Sequence, residues 1–133
     1  MTSNLDLVRS IYADWNRGDW RNVAWADPQI EFVSEDWPAP VRVTGRGPMG
    51  RAWRNFVGEW DDFRTGAEEY HELDDERVVV FHRFSARGKS SGIKLETIGS
   101  RAASLFHVTN GSVTKLVLYA DLERARADLG LEE

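Results

Sequence analysis

The stretch that most constrains this chain is Arg101 to Asp121, RAASLFHVTNGSVTKLVLYAD. It reads as two long strands joined at Asn110-Gly111, a pair that supplies the positive φ angles of a tight hairpin turn. With those two residues as the loop, Thr109 faces Ser112 and the pairing runs outward. An unbroken ladder then puts Ala102/Tyr119, Ser104/Val117, Phe106/Lys115 and Val108/Val113 on one face. Ala103/Leu118, Leu105/Leu116 and His107/Thr114 take the other. A sheet wetted on one side alternates apolar with polar, and neither face here does so cleanly. Both need cover. Helices of the same chain can cover one face, and a second copy of the chain is the simplest cover for the other.

The rest of the chain supplies the helices. Ser3 is a candidate N-cap with Asp6 in the first turn, and Leu5, Val8, Ile11, Tyr12 and Trp15 recur at helical spacing up to Gly18. Asp19 is placed to cap a short second helix, Trp20 to Ala26, which Asp27-Pro28 stops. Ile30 to Ser34 and Val41 to Thr44 read as short strands, with Trp37 in a loop between two acids and two prolines. Gly45-Arg46-Gly47 is a turn. Pro48 suits the first turn of a helix that carries Met49, Trp53, Phe56 and Trp60 on one face. The second half is mostly strand. Ala67 to Leu73 is followed by a turn at Asp74-Asp75. Arg77 to Arg87 alternates, with Val78, Val80, His82 and Phe84 on one side and Val79, Phe81, Arg83 and Ser85 on the other. Gly88 to Gly92 is a polar loop, and Ile93 to Ile98 leads into the hairpin. Leu122 to Leu129 is a short terminal helix. Helices first and strands after predict an α+β fold in one domain, residues 1–133: a cone-shaped curved antiparallel sheet wrapped around N-terminal helices.

Composition narrows the function classes. A chain of 133 residues, 41% of them hydrophobic, has room for a real core. No apolar run is long enough to span a membrane. A net charge of -5 without a basic stripe argues against nucleic acid as a partner. No cysteine is present, which excludes disulfides and thiol catalysis. The segment MTSNLDLVRS lacks the pattern of a secretion signal, so a cytoplasmic location is expected. The three histidines are far apart and no pair shows His-x-x-x-His spacing, so neither a metal site nor another cofactor is expected. Six tryptophans in so short a chain suit both a core and an apolar ligand pocket.

Several stretches together resemble the nuclear transport factor two-like superfamily, the cone fold of ketosteroid isomerases, limonene-epoxide hydrolases, scytalone dehydratases and polyketide-cyclase-like (SnoaL-like) proteins. They are Val8 to Asp19 (VRSIYADWNRGD), Asp27 to Phe32 (DPQIEF), Gly45-Arg46-Gly47 before a helix, Asp75 to Val80 (DERVVV) and Asn110-Gly111-Ser112-Val113. These are caps, turns and core positions, so they speak for the fold and not for the chemistry. The resemblance implies a deep, largely apolar pocket for a small apolar molecule, and a homodimer through the outer sheet face, for which Leu105, Leu116, Leu118 and Phe81 are the candidates. Ketosteroid isomerases pair a carboxylate base with a tyrosine and a protonated aspartate. Carried over residue by residue, the tyrosine falls on Ile11, with Tyr12 turned about 100° away on the helix. The base falls near Val33 and Ser34, with Glu35 and Asp36 a short slip away, and the aspartate falls on Ser104. The standard isomerase set is therefore absent.

Two other residues are the catalytic candidates. Asp121 follows Val117 and Tyr119 at a period of two, which by the unbroken ladder puts it on the Ser104 face. The resemblance to polyketide-cyclase-like proteins implies an acid/base aspartate near this place. The plain alternative is a cap for the helix at Leu122. His82 sits on the apolar Val80/Phe84 side of its strand, as an acid/base or as a hydrogen-bonded core histidine. Tyr119 and Ser104 are placed to orient a substrate. Trp15, Trp25, Trp53, Trp37 and Phe84 are candidate pocket walls or, equally, core. Trp25 and Trp53 fall where ketosteroid isomerases carry pocket aromatics. The expected function is a cofactor-free isomerase, cyclase or hydrolase acting by acid/base chemistry. The alternative is a non-catalytic ligand-binding protein on the same scaffold.

Overall fold

In a computed structural model, residues 3–17, 19, 23–34, 41–58, 60–88, 101–119 and 121–130 are described, those at 56–65, 84–88 and 101 by backbone alone. Helix α1 spans Asn4–Asn16, and the Ser3 side chain caps it by accepting a hydrogen bond from the Asp6 amide at 3.0 Å. Strand β1 is Ala26–Ser34 and β2 is Val41–Thr44. Helix α2 is Arg46–Gly58. Strands β3, β4, β5 and β6 are Trp60–Glu72, Arg77–Gly88, Arg101–Thr109 and Ser112–Tyr119, and α3 is Leu122–Leu129. The architecture is the expected α+β cone: one curved, open six-stranded sheet in the order β2-β1-β6-β5-β4-β3, with α1 and α2 against its inner face. All neighbours are antiparallel except β1 and β6, which run parallel.

Most of the elements follow from their residues. Asn110 and Gly111 make the hairpin turn with φ of 52° and 78°. Gly45, at φ 102°, lets β2 turn directly into α2. Pro48 lies in the first turn of α2, and Met49 and Trp53 face inward from it. Three expectations change. Ala26 opens β1 instead of ending a helix, and Asp27-Pro28 lies inside that strand; the Trp20–Asn22 part of the predicted helix is outside the described residues. Arg46 and Gly47 belong to α2, not to a turn before it. Trp60 opens β3 and so is not on the α2 face. Trp37 and the segments 35–40 and 89–100 are outside the described residues.

The largest correction is one of register. Thr109 pairs with Ser112 and Val108 with Val113, as expected, but His107 then pairs with Lys115, Phe106 with Leu116, Leu105 with Val117, Ser104 with Leu118 and Ala103 with Tyr119. Thr114 is an extra residue, a β-bulge, and its hydroxyl donates to the His107 carbonyl at 3.3 Å. Because side chains alternate with period two, one extra residue exchanges the faces of everything beyond it. Phe106, Leu116, Val78, Val80, Phe32 and Ile30 thus share the inner core with Val8, Ile11, Tyr12 and Trp15. Val33, Val79, Phe81, Ala103, Leu105, Val117 and Tyr119 form a second cluster on the outer face, where Leu122 and Ala125 of α3 pack on them. Leu116 and Leu118 therefore point inward, away from the outer face to which the predicted dimer contact assigned them. Leu105 and Phe81 are outward but already buried in one copy.

Three long-range hydrogen bonds tie the hairpin end of the open sheet to its surroundings. The Val113 amide donates to the Trp25 carbonyl at 2.9 Å, Val108 to Glu76 at 2.6 Å, and the Asn4 side chain to the Asp75 carbonyl at 2.7 Å. These bonds satisfy backbone groups where three loops and a helix start converge.

Candidate functional site

The inner face is aromatic. Trp15 stands at its centre, edge-on to Tyr12 (ring centroids 4.9 Å apart), to Trp53 (5.7 Å) and to Trp25 (6.1 Å). Phe106 and Tyr70 close on Tyr12 from the sheet at 6.0 and 6.2 Å. Edge-to-face contacts of this kind match a ring's positive rim to its neighbour's negative face. Trp15, Trp25 and Trp53 are 3, 7 and 4% exposed, so in this structure they pack on one another.

Within this lining the sheet places two polar side chains side by side. His82 on β4 pairs with Ala102, and Ser104 lies two residues further along β5, on the same inward side. The His82 imidazole is 2% exposed, and its Nε2 is 2.9 Å from Ser104 Oγ, itself 1% exposed. Burial dominates the titration of His82 and pushes its pKa down to about 3; a hydrogen bond to the Ala103 backbone and the Glu68 carboxylate oppose this more weakly. Near neutral pH the ring is uncharged.

Tyr12 completes the cluster from α1. Its ring centroid is 5.8 Å from that of His82, and its hydroxyl is buried without a hydrogen-bond partner. Burial pushes the phenol far up; Ser104 lies near enough to favour the ionised form slightly, but the two oxygens do not meet hydrogen-bond geometry. Tyr12 is therefore a protonated, unspent donor beside a serine and a neutral imidazole. Reading from the sequence set Tyr12 aside because Ile11 takes the isomerase tyrosine's place. Both residues are in fact buried, and the signal that could have found Tyr12 is that it joins Val8 and Trp15 on the helix's apolar stripe while carrying a polar tip.

The other candidates separate. Asp121 is the N-cap of α3: its carboxylate accepts from the Glu123 amide at 3.0 Å. The register puts Val117 and Tyr119 on the outer face, so the parity that aligned Asp121 and Tyr119 with Ser104 does not hold. Phe84 stands two residues beyond His82 in β4, and its side chain is outside the described residues, as is Trp37. His107 is half-buried on the outer side, its pKa lowered first by burial and then by Lys115 and Arg77. Among the described residues no group of three His, Cys, Asp or Glu side chains is placed to hold a metal ion. No helix among the described residues is long and apolar enough to cross a membrane.

The sequence matches no protein-family model and no curated protein sequence. Its structure does match solved ones. An NTF2-like protein of Burkholderia thailandensis superposes with a TM-score of 0.80 at 22% identity, over 96% of this chain and 98% of that one. An NTF2-like protein of unknown function from Burkholderia pseudomallei gives 0.76 at 17%, over 96 and 97%. A protein of ketosteroid isomerase-like fold from Catenulispora acidiphila, solved in complex with trimethylamine, gives 0.70 at 13%, over 98 and 96%. The chain has the NTF2-like fold over nearly its whole length, as the sequence resemblance implied.

Proposed function

We propose that this chain is a small-molecule pocket protein that acts as a cofactor-free acid/base enzyme, of isomerase, cyclase or hydrolase type, on a small and largely apolar substrate. The observation that carries the reading is the buried cluster of His82, Ser104 and Tyr12 inside an aromatic lining. All three groups are uncharged near neutral pH, and in a dry interior such dipoles stabilise an oxygen that gains negative charge. Tyr12 offers the unspent donor, while the His82–Ser104 bond fixes the serine. A neutral imidazole serves this polarising role because its pKa is depressed. For the same reason His82 is a poor base. Glu35 and Asp36, which follow β1 in the chain, are the stand-ins the sequence offers for that base, and among the described residues Glu68 is the carboxylate whose charge reaches His82. The trimethylamine held by the Catenulispora protein supports the general idea of a small guest in this fold.

Tryptophan fluorescence should shift when steroids, terpenoids or aromatic polyketides are screened, because Trp15, Trp25 and Trp53 line the interior. Compounds that bind are then incubated with the protein and weighed by mass spectrometry. Isomerisation and cyclisation keep the mass, while hydration and hydrolysis add one water. Tyr12→Phe should lower turnover by roughly 10²–10³, the usual effect of removing one such donor. A screen without any binding overturns the proposal. Binding without conversion favours a non-catalytic ligand-binding protein, a reading that the weak basicity of His82 supports.

A further inference from the structure

The outer face of the sheet carries an apolar cluster four strands wide, from Val33 on β1 across β6 and β5 to Phe81 on β4. A bare apolar face of that width ordinarily marks an interface. Here it is already closed: Val33 is 5% exposed, Leu105 and Phe81 4%, and Tyr119 6%. The cover includes α3, which lies on β5 and β6 and buries Leu122 and Ala125 there, with Leu129 half-buried beside them. From α3 the Arg126 guanidinium reaches the Phe81 ring, which His71 approaches from β3 at 5.0 Å. Among the described residues, the one large apolar side chain left exposed is Val41, on β2. A stable interface between proteins removes about 800 Å² from each partner. With α3 in place, the described part of the outer face has no such apolar area to offer.

α3 is also built as a separable piece. Asp121 caps its first turn through the Glu123 amide. Gly130, at φ 69°, closes its last turn and donates to the Ala127 carbonyl at 3.4 Å. The ion pairs Arg126–Glu123 and Arg124–Asp128 run along the helix, at 3.4 and 4.0 Å. β6 ends at Tyr119, before α3 begins, so release of the helix breaks no strand pairing. Eight residues are too few for a stable helix in water, so α3 persists through its contact with the sheet and comes away as one unit.

We propose that α3 takes the place of a partner subunit. Docked, it keeps the chain monomeric. Released, it uncovers a face that a second copy of the chain covers in its stead. The rim favours a copy of itself over a partner of one charge sign. Glu31 pairs with Arg42 at one flank and Glu68 with Arg83 at the other, so each flank holds both signs. A two-fold axis lays such a mixed rim against itself. Both copies must release α3 to form one dimer, so the association constant follows the square of the released fraction.

The test uses the full chain, by sedimentation and amide exchange. The unaltered chain should be a monomer at micromolar concentration and associate weakly only in the millimolar range, with α3 amides exchanging ahead of those in β5 and β6. Leu122→Ala shortens the anchoring side chain and adds no charge. It should speed exchange in α3 at least about tenfold and raise the dimer association constant about a hundredfold or more. Asp121→Ala removes only the cap, so it should move the same readings about fivefold and about 25-fold, and it decides where Leu122→Ala does not fold. A micromolar dimer of the unaltered chain with α3 protected overturns the proposal. So does a folded variant whose α3 opens faster but whose association is unchanged, or one whose association rises without the square dependence.

Discussion

The two faces of the sheet are both apolar, but they are closed in different ways. The inner face is covered by two long helices, and the interface encloses a polar cluster whose hydrogen bonds are not all spent. The outer face is covered in part by α3, an eight-residue helix, through Leu122 and Ala125, with the Arg126 guanidinium 5.5 Å from the Phe81 ring centroid. Ser34, His82 and Ser104, the buried hydrophilic residues described on the sheet, belong to the inner side, while the outer side buries Tyr119. The Tyr12 hydroxyl, buried without a partner beside His82 and Ser104, is the feature on which the proposed guest site rests. The outer face has the composition of plain packing.

The comparison is broken most severely at Leu116. Leu116→Asp puts a charge inside the aromatic core, and the loss should exceed about 4 kcal/mol, leaving the chain without dispersed NMR signals. A folded Leu116→Asp monomer, released from a wild-type dimer, would instead return Leu116 to the outer face. Acid is the next test. The unfolded histidine titrates at about 6.5 and the folded His82 at about 3. Between those values the unfolded chain binds a proton that the folded chain refuses, so stability falls as pH drops through this window. From pH 6.5 to 4.5, urea midpoints should register a loss of about 2 kcal/mol, which His82→Gln should largely abolish. His107, shifted in the same direction, adds a smaller part. A flat profile in the unaltered chain would contradict the buried neutral imidazole. Asp121→Ala, on the outer side, should cost only about 1 kcal/mol, the value of a helix cap, and leave ligand turnover unchanged. Lost turnover in a stably folded Asp121→Ala would shift the chemistry to the other face.

Much of the fold was legible because local chemistry decides it. Ser3 caps α1 as its position suggested, Asn110-Gly111 turns the hairpin, and the alternation of β4 sorts Val78, Val80 and His82 from Val79 and Phe81. The candidate site was half legible. His82 and Ser104 were named, but Ser104 was joined to Tyr119 and Asp121 by a ladder assumed to be continuous. The bulge at Thr114 has no glycine or other local mark, so only the paired strand reveals it. The parallel pairing of β1 with β6 is equally non-local: β1 takes five residues from Ala26 to Glu31 while β6 takes two from Val113 to Lys115. Tyr12 was read as core by its spacing, correctly, yet whether a buried hydroxyl finds a partner depends on neighbours brought from β4 and β5.

The central claim is that a neutral His82 holds Ser104 on the inner face beside Tyr12. Long-range ¹H–¹⁵N correlation of the histidine rings across pH 4.5 to 8 tests it in one experiment. The account predicts that one ring stays neutral throughout, in the single tautomer that its bond to Ser104 selects. All three histidines titrating near pH 6.5 would contradict it.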